Sequence, residues 1–236
     1  MKKQVLKTIM IATAVAISGT AMAQVEIGLR AGANFSNVTW KDANGKKVDT
    51  KLNPGWHAGV TFDIPIADEF YVQPGALFST KGFKTTDAAS ALGATYNGTY
   101  KETASYIEVP VNFLYKPELG EGKLLLGAGP YVAYGLGGKW KYDAVATSGG
   151  STATNSSDGQ LEFKNDTKDA SDNKSIYGKP FDAGANLLVG YEFANKLSFQ
   201  LNGQLGLVNI APNVNGQKPD GKFKNSAFGI SVGYKF

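Results

Sequence analysis

Eight segments of the chain alternate between apolar and small or polar residues with a period of two. In the first, Val25, Ile27, Leu29, Ala31, Ala33 and Phe35 alternate with Glu26, Gly28, Arg30, Gly32, Asn34 and Ser36. Comparable runs occupy residues 56–64, 70–79, 106–115, 124–137, 181–193, 197–207 and 227–236. Successive side chains of a strand point to opposite faces, so this period predicts strands with one apolar face. Most of the runs reach about nine residues or more, the length a tilted strand needs to cross a bilayer. Pro74, Pro110 and Pro130 each remove a ladder donor and are read as local bulges or bends.

The connections alternate as well. Short ones cover 67–69, 117–123 and 194–196; long ones cover 37–54, 82–103, 138–179 and 211–224. Each long connection contains a turn dipeptide: Asn44-Gly45, Asn97-Gly98, Asp158-Gly159, and both Asn215-Gly216 and Asp220-Gly221. Short turns at one end and long polar loops at the other predict an all-β fold. Its form is a closed antiparallel eight-stranded transmembrane β-barrel with short periplasmic turns and long extracellular loops. An even strand number returns both termini to the periplasmic side.

A soluble barrel or sandwich also alternates, but its polar face meets water. Here Gly127, Gly129, Gly135 and Gly137 share the polar face of the fifth run. A solvated face has no need of so many glycines, whereas the crowded inside of a narrow barrel does. The opposite face is nearly free of charge and places aromatics such as Trp56, Phe70, Tyr115, Phe193 and Phe236 near strand ends. That is the arrangement of a lipid-facing wall.

The N-terminus supplies an address. Lys2, Lys3 and Lys7 precede an apolar run from Ile9 to Ile17, and Ala21-Met22-Ala23 follows. These features predict a signal peptide at 1–23 and an outer-membrane β-barrel domain at 24–236. The apolar run is too short for a spanning helix, and no cysteine follows it for lipid attachment. Of 24 basic residues, three lie in the leader, leaving 21 against 20 acidic residues. A nearly neutral mature chain gives no support for nucleic-acid binding. With no cysteine and one histidine, disulfides and a Cys/His zinc site are excluded.

Several segments, in their order along the chain, match a known pattern. They are Gly28 through Ser36, Gln73-Pro74 through Gly82, Tyr106-Ile107-Glu108-Val109-Pro110 and Gly129-Pro130-Tyr131. The chain ends in Gly233-Tyr234-Lys235-Phe236. Over essentially the whole mature length, the chain resembles the PorT-like outer-membrane β-barrel family, within the OmpA/OmpX-type small barrels. Gly75 departs from the family pattern, which often has glutamate there. The resemblance implies a Gram-negative cell envelope and Phe236 as the aromatic end read by the barrel-assembly machinery during insertion. It implies no common substrate or reaction.

The residues that carry chemistry are few. Arg30, Glu108 and Asp182 have inward parity, and Glu26, Asp63, Glu192 and Lys235 sit inward near the periplasmic ends. Charges in a narrow lumen are expected to pair, so Arg30 is expected to pair with Glu108 or another inward acid. Glu26 and Lys235 become neighbours only if the barrel closes. His57 is read as an inward polar residue and, alternatively, as a catalytic base or metal ligand. No Gly-x-Ser-x-Gly, P-loop or dinucleotide fingerprint is present, and no cofactor is expected. The Ser/Thr/Asn-rich third loop is read either as a ligand-binding surface or as a flexible connection.

These features favour a non-enzymatic outer-membrane barrel, structural or surface-binding through its long loops. An eight-strand interior is just wide enough for side chains to fill. The expected partners are outer-membrane lipid and an extracellular ligand or protein. A narrow porin-like channel, a component of a protein-secretion assembly and an outer-membrane enzyme are the alternatives.

Overall fold

The structure, a computed structural model, describes residues 25–91 and 94–236. The expected signal peptide lies outside the described residues. Twelve strands form one sheet: β1 (Glu26–Lys41), β2 (Lys47–Val48), β3 (Lys51–Ala67), β4 (Phe70–Ala91), β5 (Ala94–Tyr115), β6 (Glu118–Leu119), β7 (Gly122–Ser148), β8 (Ser151–Phe163), β9 (Lys174–Gly178), β10 (Phe181–Glu192), β11 (Leu197–Gly206) and β12 (Lys222–Lys235). All pairings are antiparallel except β8 with β9.

Eight of these strands contain the eight alternating runs. Each pairs with two others of the set: β1 with β12 and β3, β4 with β3 and β5, β7 with β5 and β10, and β11 with β10 and β12. The cycle of pairings thus returns to its start. Gly28 of β1, for example, faces Thr61 on one side and Lys235 on the other.

The two faces of this wall are opposite in character. On β5, Ile107, Val109, Val111 and Phe113 are exposed, while Glu108, Asn112 and Leu114 are buried. Apolar outside and polar inside is the inverse of a water-soluble protein and suits a lipid solvent.

The structure corrects several expectations. Much of 82–103 and 138–179 is strand, not loop: β4, β5 and β7 run on into these segments, and 138–179 adds β8 and β9, while β2 and β6 lie in 37–54 and 117–123. A pair of strands that leaves the wall in register keeps its ladder bonds wherever the side chains tolerate extension, and β8 is rich in Ser and Thr, which do. Asn97-Gly98 lies within β5 and Asp158-Gly159 within β8, so neither is a turn. The β7–β8 turn is Gly149-Gly150, with φ of 56° and 80°. Two consecutive left-handed residues are what a two-residue hairpin turn needs. Asn215-Gly216, with φ of 51° and 84°, is a turn as expected.

The register runs past Pro74, Pro110 and Pro130 without shifting. The shifts fall elsewhere: in β3 between Leu52 and His57 and between Pro65 and Ala67, and beside Ser105 of β5. A proline deletes one donor, but the neighbouring pairs are enough to hold the strands in step.

Candidate functional site

The lumen is filled by three tiers of side chains. At the end that carries the short turns, Lys116 and Lys235 meet Asp63, Glu26 and Glu192. Lys116 lies 3.1 Å from Asp63, 3.5 Å from Glu26 and 3.4 Å from Glu192. Lys235 pairs with Asp63 and stands 2.8 Å from Glu192 and 3.6 Å from Glu26. Gln73 donates to the other Asp63 oxygen at 2.7 Å. Glu26 and Lys235 thus come together across the β1–β12 pairing.

The middle tier is built around Lys81, whose ammonium is 2.8 Å from Glu108 and 3.9 Å from Asp182. It also lies over the rings of Tyr131 and Tyr106, 4.5 and 5.5 Å from their centroids. Gln204 donates to Glu108 at 3.0 Å, and Asn225 donates to Asp182 at 2.9 Å. Burial strengthens each contact and makes an unpaired member costly.

Arg30 does not fulfil its expected role. It is buried, yet among the described residues no carboxylate lies within 4.0 Å of it. Its Nε and Nη1 have no hydrogen-bond partner among the described residues. Arg30 stands on β1, and β3 and β4 intervene before Glu108 on β5. Lys81, on the strand next to Glu108, takes the acid instead. Parity places a side chain inside the wall but does not say which part of the circumference it faces.

Lys81 and Lys116 are not among the inward charges expected from the sequence, although the pattern holds them. Each lies on inward parity, Lys81 two residues past Ser79 and Lys116 two past Leu114, just beyond the runs as delimited by their apolar partners.

His57 is held at both ring nitrogens, Nδ1 against Asn34 Oδ1 at 2.7 Å and Nε2 against Ser231 Oγ at 2.9 Å. The Asn34 amide group donates to Ser79 Oγ, which leaves its oxygen for the imidazole. Asn202 also donates to Ser231 Oγ at 2.8 Å. The Asn34 oxygen can only accept, so Nδ1 carries a proton, while Ser231 can serve Nε2 as donor or acceptor.

Serine, histidine and asparagine in this order of contacts resemble a nucleophile, a base and an orienting group. The surroundings do not. All three are buried, and the cavity beside His57, which Arg30, Glu108 and Asn202 also line, measures about 20 Å³. That is room for about one water, not for a scissile bond.

The third tier is aromatic. Tyr106 and Tyr131 from the wall join Phe83, Tyr177 and Phe223 in one buried cluster with Leu161 and Ile210. Tyr177, on β9, packs against Phe83, Phe163 and Phe223 with ring centroids 6.5, 5.6 and 5.5 Å away. Its hydroxyl donates to Asn225 at 2.9 Å. A Cβ at Gly135 would fall on the Phe163 ring, so an inward glycine makes the recess that this ring occupies. The connections that carry Phe163, Tyr177 and Ile210 fold back over the mouth. Asp166 clamps them, accepting from the backbone N–H groups of Lys168 at 3.1 Å and Gly216 at 2.5 Å. These bonds hold its carboxyl below the usual aspartate range.

Phe236, at the chain end, is exposed on the outer face, and its backbone N–H donates to Ile27 at 3.0 Å.

Comparison with known proteins gives one family. The family model for the outer membrane protein beta-barrel domain matches residues 18–211. The solved structure of Ail, the attachment invasion locus protein of Yersinia pestis, is 15% identical over 90% of this chain and 99% of that chain, with a TM-score of 0.36. Neisserial surface protein A is 12% identical over 89% and 97%, with a TM-score of 0.33. A search of curated proteins finds no match.

Proposed function

The chain belongs to the outer membrane protein beta-barrel domain family, and from that premise we propose a sealed, non-enzymatic barrel whose extracellular segments carry its role. The cycle of eight paired strands forms a closed transmembrane wall, and both termini are periplasmic, on the short-turn side. Residues 1–23 are its export signal, and Phe236 is its insertion signal. The order of the motifs around Arg30, Pro74, Glu108 and Pro130 supports a PorT-like subfamily.

One observation carries the functional reading: buried side chains occupy the lumen at three levels, around Asp63, around Lys81 and in the aromatic cluster of Tyr177. Around Arg30, His57 and Glu108 the remaining cavity is about 20 Å³. A path for solutes requires continuous water, and this interior has room for about one molecule at that level. The barrel therefore serves as a rigid anchor that presents β4, β5, β7 and β8 as a sheet beyond the membrane, for structural support or for contact with an extracellular ligand or protein.

The test is planar-bilayer conductance of the refolded mature protein, after heat-modifiable gel migration has demonstrated a folded barrel. The expected result is silence. Reproducible conductance steps overturn the sealed reading in favour of a narrow channel. Labelling of Ser231 by a fluorophosphonate would overturn the non-enzymatic reading, since a sealed serine has no access to the reagent.

A further inference from the structure

Three neighbouring strands leave the lipid-facing zone in the same way. Moving outward on the outward parity, β4 reads Phe78, Thr80, Gly82, Lys84, with Thr80 and Gly82 buried, and β5 reads Ile107, Ser105, Thr103, Lys101. β7 reads Leu136, Gly137, Lys139, Lys141, stepping by one at the irregularity beside Ser105. The register aligns the ends of these sequences. Lys51 of β3 lies opposite Lys84, Lys84 opposite Lys101, and Lys101 opposite Lys141. Four lysines thus form one row across four strands. Lys51 donates to Thr86 at 2.7 Å, which fixes it on that same face.

Like charges directly opposite one another destabilise a sheet, so the row calls for a counter-charge. The chain supplies little. Lys141 pairs with Asp143 at 2.9 Å, and Asp158 faces Lys141 from β8. Among the described residues, no carboxylate lies within 4.0 Å of Lys51, Lys84, Lys101 or Lys139. A second row repeats the pattern elsewhere on the wall, where Lys41 of β1 faces Lys47 and Lys222.

We propose that the first row binds the phosphorylated saccharide headgroup of an outer-leaflet glycolipid. The inference rests on the transmembrane reading above. Three observations select this occupant. The row continues the lipid-facing surface of the same strands, so its neighbour is a lipid. It is cationic, as phosphates require. Its height excludes a thin headgroup: Lys84 and Lys101 stand six residues beyond Phe78 and Ile107, about 15 Å up a strand tilted by about 40°. A phospholipid interface is only about 5–8 Å thick. Between the lysines and the apolar zone lies a groove of about 610 Å³ in which Lys101, Lys139 and Lys141 outnumber one acid, Asp158, beside Thr103 and Ser105. Hydroxyls below and ammonium groups above suit a sugar that bears phosphate.

The experiment uses the full mature chain in phosphatidylcholine nanodiscs doped with rough lipopolysaccharide, its chemically dephosphorylated form, or phosphatidylglycerol. Native mass spectrometry and co-purification measure the lipid retained. Wild type is expected to retain phosphorylated lipopolysaccharide, less so as salt rises. Replacing Lys84, Lys101, Lys139 and Lys141 together by Gln should weaken retention tenfold or more, since each lysine near an anionic surface is worth about fivefold. The matching Lys→Arg set keeps the charge and should retain the lipid. Equal retention of the dephosphorylated form, or by the Gln variant, overturns the proposal. Equal competition by phosphatidylglycerol overturns the saccharide assignment, and displacement by millimolar inorganic phosphate assigns the row to free anions instead. A chain that fails to insert and shows no heat-modifiable migration refutes the transmembrane reading. A chain that inserts without retaining the lipid refutes only this inference.

Discussion

The two ends of the lumen are closed by different means. At the short-turn end, Asp63, Lys116, Lys235, Glu26 and Glu192 all come from wall strands or lie one residue beyond them, and they close it by charge. At the other end the closure is aromatic, and Phe163, Tyr177 and Ile210 are brought from β8, β9 and the β11–β12 connection. The difference follows from what each end has available. Short turns hold the strand ends together and leave no chain to fold inward, so the wall must fill itself. Long connections can return and bury apolar rings, which need no partner of opposite charge. The first closure depends on its buried members. The second tolerates the loss of single contacts.

Substitutions separate the two. The largest effect is expected at Asp63→Ala, which removes the most deeply buried of the three acids that Lys116 and Lys235 share. Breaking a buried pair costs about 3–5 kcal/mol, measurable by equilibrium urea unfolding of the refolded barrel. Glu26→Gln, in the same cluster but with its side chain 37% exposed, should cost less than about 1 kcal/mol. Equal losses would show that the cluster does not depend on burial.

The wall itself comes next. Val111→Arg should destabilise the inserted barrel by about 2–4 kcal/mol if it lies near the bilayer midplane. The same measurement on Asn112→Arg, which points inward beside Gln73 and Asn186, tests the assignment of faces; identical insertion defects would count against it.

At the aromatic end, Tyr177→Phe removes only the bond to Asn225 and should cost about 1 kcal/mol. Replacing Phe163 and Tyr177 together by Ala should loosen the mouth yet give no conductance, because the Lys81 tier still blocks the lumen. Steps in a planar bilayer would show that the aromatic end alone makes the seal.

The smallest effect concerns pH. Asp166 has a lowered folded value, so its clamp is fully present above the ordinary aspartate range, near pH 4. It is lost as pH falls through that lowered value. Protection of the Gly216 amide hydrogen, after correction for its intrinsic exchange rate, should therefore fall only in acid, and Asp166→Asn should remove that change in protection.

Much of this architecture can be read from the chain before any coordinates. Alternation has a period of two because a strand exposes alternate residues to alternate solvents, so inside and outside are properties of position parity. Glu26, Glu108, Asp182 and Lys235 could be placed in the lumen for that reason. The same parity, carried two residues farther, reaches Lys81 and Lys116. The apolar partners end before these two lysines, yet inward charges continue past them.

Other features depend on how the strands close and where the connections return. Arg30 and Glu108 share the lumen, but two strands lie between them, and only the register shows that Lys81 is nearer. The Ser231–His57 contact links residues 174 apart in sequence, across a β1–β3–β12 neighbourhood created by chain closure. The lysine row likewise appears only when four strands are set in register. Residue order therefore determined which face each side chain serves, since that requires only the local geometry of a strand. Tertiary structure decided which side chains meet, because contact depends on circumference, register and the return of the connections, none of which is a local property of the chain.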